Sequence, residues 1–104
     1  MEDSLVAFNK IEDGVQFVYR FPNNFGASVV CHSFSYGGDK GYFELGLIQF
    51  KNEDNNSWQL RFDNGRFFDA VGWLTFQQVA EYLDYIEKLD SSYPVNKIFS
   101  IQSE

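Results

Sequence analysis

The chain has 104 residues and a formal charge of −7, from fifteen acidic and eight basic side chains. That length suits one domain with a modest core, and the negative balance weighs against direct binding of nucleic acid or anionic lipid, both of which need basic surfaces. A single cysteine, Cys31, leaves no internal disulfide and suits a reducing compartment.

The first residues, MEDSLVAF, are acidic where a secretion signal would be basic. No apolar run reaches the ~18 residues of a membrane helix, so a soluble cytoplasmic protein with no membrane partner is expected. Residues 1–13 form a lead-in, readable as a short helix or as an extended segment, and Gly14 closes it. Residues 15–21 alternate: Val15, Phe17, Tyr19 and Phe21 share one face, and Gln16, Val18 and Arg20 the other. Period two with aromatic and β-branched side chains predicts a strand. Pro22-Asn23-Asn24 supplies turn chemistry, and residues 25–34 return as the second arm of a hairpin, with Phe25, Ala27, Val29 and Cys31 on one face.

Ser35 to Gly41, SYGGDKG, is a loop whose glycines permit positive φ. Residues 42–50 are apolar on both faces and predict a central strand, with Phe43, Leu45 and Leu47 on one side and Tyr42, Glu44, Gly46, Ile48 and Phe50 on the other. Gly46 predicts a bulge or a close backbone approach. A polar turn, KNEDNNS, leads into residues 58–62, with Trp58, Leu60 and Phe62 expected inward. Asn64-Gly65 is a hairpin signal and predicts a fifth strand from Arg66 to Val71.

Thr75 then starts a helix. Gln78, three residues on, completes a capping box, and Leu74 with Val79 forms the hydrophobic staple. Val79, Tyr82, Leu83, Ile86 and Leu89 make the apolar stripe, and Ser91, Ser92 and Pro94 stop the helix. In the tail, Val95, Ile98, Phe99 and Ile101 either pack as a last extended segment or fray. The expected fold is α+β: an antiparallel sheet of four to five strands, covered on one face by a single C-terminal helix at about 75–89. One domain spans 1–104, with a core at 14–89, a lead-in at 1–13 and a tail at 90–104.

FPNNFGASVV (21–30), SYGG (35–38), FELGLIQF (43–50) and VGWLT before an amphipathic helix (71–89) resemble a group of small proteins encoded in bacteriophage and prophage genomes. The resemblance covers residues 14–89. It implies a phage accessory protein in the host cytoplasm and carries no activity with it.

No catalytic set is legible. Cys31 and His32 are adjacent, so in a strand they point to opposite faces and are poorly placed as nucleophile and base. Cys31 shares its face with Ala27 and Val29 and is expected to be a buried thiol. One histidine among scattered carboxylates falls short of a metal set, so no metal or cofactor is expected. SYGGDKG does not match a phosphate loop, and no helix follows it. Glu53-Asp54-Asn55-Asn56 lacks the ligand alternation of a calcium loop.

With twelve Phe, six Tyr and two Trp, 19% of the chain, there are more rings than a small core holds. The surplus predicts an exposed aromatic patch, which marks an interface. The phage-like pattern, the small compact fold, the acidic surface and the missing catalytic set give the expected function: non-catalytic protein binding that inhibits a host or defence factor. Its expected contact residues are Tyr36, Tyr42, Trp73 and Tyr85, rimmed by Glu81 and Asp84. An alternative is a small-ligand or nucleotide module at the 35–41 loop, with His32, Arg20 and Asp39 as anchors. A further alternative is an acidic nucleic-acid mimic built on Glu81, Asp84 and Glu87. Homodimerisation through an edge strand or the aromatic patch is compatible with all three.

Overall fold

A computed structural model describes residues 2–96. It has six strands, β1 (Leu5–Ile11), β2 (Gly14–Arg20), β3 (Phe25–Cys31), β4 (Phe43–Phe50), β5 (Trp58–Leu60) and β6 (Val71–Leu74), and one α-helix, α1 (Phe76–Glu87). The fold is α+β, as expected. All strand pairs are antiparallel, in the order β1-β2-β3-β4, with β5 and β6 both pairing the outer edge of β4. β5 takes Ile48–Phe50, and β6 takes Phe43 and Leu45.

The alternation places two apolar layers on the sheet. Phe25, Ala27 and Val29 of β3 and Leu45 and Leu47 of β4 face α1 and meet its Val79, Leu83 and Ile86. Each of these side chains larger than alanine contributes roughly 1.5–3 kcal/mol when fully buried. Val18, Ile48 and Phe50 form a smaller cluster on the opposite face, where Trp58 and Ala7 pack.

The capping box is present: the Thr75 side chain accepts from Gln78 N–H at 3.1 Å, and the Gln78 side chain accepts from Thr75 N–H at 2.9 Å. Leu74 and Val79 both enter the core, as the staple requires. At the other end of α1, the Asn23 side-chain amide donates to Ile86 O (2.9 Å) and Leu89 O (2.8 Å), while its oxygen accepts from Phe25 N–H. The turn after β2 thus satisfies carbonyls that a helix end leaves unpaired.

Five expectations change. The lead-in is a 3₁₀ turn (Glu2–Ser4) followed by β1, and a bulge between Leu5 and Ala7 obscures its alternation. The second arm of the hairpin ends at Cys31, because His32 and Ser35 close a turn there. Trp58 packs on the face away from α1, and Leu60 is exposed. Asn64-Gly65 makes no hairpin. Asp63 Oδ1 accepts from Gly65 N–H (2.9 Å) and Phe67 N–H (2.7 Å), and its other oxygen accepts from Tyr93 O–H. The bend drives the Phe67 ring under α1, against Tyr82 and Tyr85, and the strand begins only at Val71. Gly46 causes no bulge; a side chain there would press on Leu60 at 3.0 Å. The expectation for Ile98, Phe99 and Ile101 lies outside the described residues.

Burial alone would raise the pKa of Asp63, but the bonds from Tyr93, Gly65 and Phe67 outweigh it and hold the carboxyl below its usual value. The same bond, with burial, raises Tyr93. A lowered carboxyl stabilises the fold above its unfolded-state pKa, about 3.9, and that stabilisation is lost as pH falls through the folded value. Replacing Asp63 by Ala leaves several donors unmatched and is expected to cost about 3 kcal/mol in denaturant unfolding. Asp63→Asn is expected to flatten the acid limb of the stability curve, and an unchanged limb would contradict this role. Thr75→Ala is expected to cost about 1 kcal/mol by the same measurement.

Candidate functional site

Three of the four expected aromatic residues come together. The loop after β3 folds back on itself: the Ser35 hydroxyl donates to His32 O (2.9 Å) and accepts from His32 N–H (3.0 Å), and Ser35 is buried. That sets Tyr36 between two strands. Its N–H donates to Glu44 Oε1 of β4 at 2.7 Å, and its carbonyl accepts from Trp73 N–H of β6 at 3.1 Å. Tyr42 N–H donates to Gly37 O at 3.0 Å, closing the loop. The Tyr42 and Trp73 rings lie 5.7 Å apart. Tyr36, Tyr42 and Trp73 are all exposed, Trp73 by 58%. Phe76, in the first turn of α1, is also exposed and sits 6.5 Å from the Phe43 ring.

Small residues permit this contact. A Cβ on Gly72 would lie 2.2 Å from the Cβ of Tyr36, and one on Gly37 would lie 3.0 Å from Trp73 Cα. Gly37 also has φ 84, which a side chain would strain. Trp73 itself sits at φ 59, an unusual conformation for a bulky residue, held by the Tyr36 bond and the ring contact.

Tyr85, expected in the same patch, is half-buried. Its ring packs on Phe67, and the Arg66 guanidinium lies 4.2 Å above it. Glu81 and Asp84 are exposed on α1, and Asp84 pairs with Lys88 at 3.0 Å. One of the three carboxylates proposed as a phosphate mimic therefore has a cation beside it.

The anchors expected for a small ligand are divided. His32 and Asp39 share an open depression of about 360 Å³ with Asp13, Cys31 and Ser33. His32 Nδ1 accepts from Phe34 N–H at 3.1 Å. The bond from Ser33 N–H holds the Asp13 carboxyl below its usual value. Cys31 is half-buried rather than enclosed, and its thiol donates to Gly38 O. Arg20 takes no part: its guanidinium lies over the Phe50 ring at 4.6 Å and donates to Asn52 O, Asn55 O, Asn56 Oδ1 and Asn24 Oδ1. It organises the polar turn after β4. Among the described residues, no three of His, Cys, Asp and Glu gather to hold a metal ion.

Sequence reasoning missed a cavity of about 350 Å³ on the sheet face away from α1, beside Gly46, Trp58 and Leu60. Part of its polar lining is engaged within the protein. Asn9 donates to Gln16 (3.0 Å), Gln16 donates to Ser28 (2.9 Å), and Glu44 accepts from Tyr36 N–H. No helix among the described residues is long and apolar enough to cross a membrane.

Gly72→Ala is expected to push the 35–41 loop away from β6 and to cost about 2 kcal/mol, in the range for overpacking a tight contact. Amide shifts of Tyr36, Gly37 and Trp73 should move together; unchanged shifts would contradict the interlock. Comparison with protein-family models, with curated proteins and with solved structures gave no match.

Proposed function

We propose that this is a phage-encoded accessory protein that works without catalysis, by binding and inhibiting a host or defence protein. One observation carries the reading: Tyr36, Tyr42 and Trp73 converge on an exposed surface that backbone hydrogen bonds hold in place. Aromatic side chains dominate the energetics of protein interfaces. A ring patch ordered before contact avoids much of the entropy lost on binding. The sequence resemblance to phage proteins supplies the context, and the −7 charge suits a partner with a basic rim.

The test is capture from host lysate on immobilised protein, followed by affinity measurement on the identified partner. A Tyr36→Ala/Trp73→Ala variant is expected to lose about tenfold or more in affinity. Phe68→Ala removes a more exposed ring from the 62–70 loop and should leave affinity unchanged. Equal affinity of wild type and the double variant, or no retained partner, would overturn the reading.

A further inference from the structure

We propose that β1 is a self-association edge: two copies pair their β1 strands antiparallel about a two-fold axis normal to the sheet, joining two sheets into one. The two borders of the sheet differ sharply. The border at β5 and β6 is broken into strands of three and four residues, with the 62–70 loop and its buried Phe67 between them. Short, interrupted edges resist pairing with another chain. β1 is seven residues long and, among the described residues, pairs only β2. Its outer row of N–H and C=O groups is a template for another strand.

β1 carries few of the usual guards. It has no proline, and its one charged side chain is Lys10. The bulge between Leu5 and Ala7 perturbs only its start, and Ala7–Ile11 keep unbroken register with β2. Leu5, Val6 and Phe8 are exposed, Phe8 by 54%.

The chemistry favours a second copy of this chain as the occupant. A partner chosen for its basic charge would seek the carboxylates elsewhere on the surface. From Ser4 to Ile11 the border carries none, and the flanking carboxylates of Asp3, Glu12 and Asp13 lie beyond its ends, so repulsion between two chains of −7 falls at the ends of the joint rather than along it. A two-fold axis through Phe8 sets the two Phe8 rings opposite one another. Each already packs on its own Phe17, centroids 5.1 Å apart, so the joint continues the row as Phe17–Phe8–Phe8–Phe17. Aromatic cross-strand pairs stabilise sheets. The same register lays the aliphatic stem of Lys10 on Val6 of the second copy.

Sedimentation equilibrium of the full chain tests this. Wild type should approach the mass of two chains as concentration rises. Phe8→Lys brings two ammonium groups together at the joint, and Val6→Lys sets an ammonium against Lys10 of the second copy; each should weaken association by about tenfold or more, with folding checked by circular dichroism. Should either variant fail to fold, amide exchange on wild type decides, since protection of Ala7–Ile11 should rise with concentration. A monomer throughout the range, an association that survives both folded variants, or β1 protection independent of concentration would overturn the proposal.

Discussion

β4 is the strand on which the rest of the molecule depends. It is hydrogen-bonded to β3 along one edge, while β5 and β6 divide the other. Its two faces feed two separate apolar clusters. Because β5 and β6 take different halves of one edge, the chain must leave β4 and rejoin it within residues 62–70. Asp63 makes that excursion possible. Its carboxylate gathers two backbone N–H groups and the Tyr93 hydroxyl, and the bend sends Phe67 under α1. The detour also delivers β6 beside the 35–42 loop, so the aromatic surface is a consequence of how β4 is shared.

The parts of the fold legible in the sequence were those set by local periodicity. The alternation of residues 15–21 and 42–50 fixed which side chains meet the helix, and the Thr75–Gln78 pair fixed where the helix starts. Legibility failed where the outcome turned on more than the alternation of side chains. Asn64-Gly65 reads as a hairpin on local grounds, yet Asp63 claims the N–H groups that would shape it. Leu5 to Ile11 reads ambiguously because the bulge shifts its period. Trp58 alternates correctly, but nothing local says which side of the sheet it faces.

The site was legible in kind rather than in full. A surplus of rings predicted an exposed patch, and Tyr36, Tyr42 and Trp73 share one. Tyr85 does not, because Phe67, misread as part of a strand, comes back to cover it. Arg20 sits at the opposite end of β2 from the strand pair that leads into His32, so no single anchor set joins them. The motifs behind the phage resemblance have mechanical roles here. Asn23 of FPNN ties the first hairpin to the end of α1, and SYGG with Gly72-Trp73 forms the interlock.

The central claim is that the aromatic surface is built before any partner arrives, because the Tyr36 carbonyl holds Trp73 N–H across two elements. Native-state amide exchange at Trp73 tests this most directly. That N–H should exchange as slowly as the paired amides of β4. Exchange as fast as the exposed 51–57 turn would mean the loop swings free, and would contradict it.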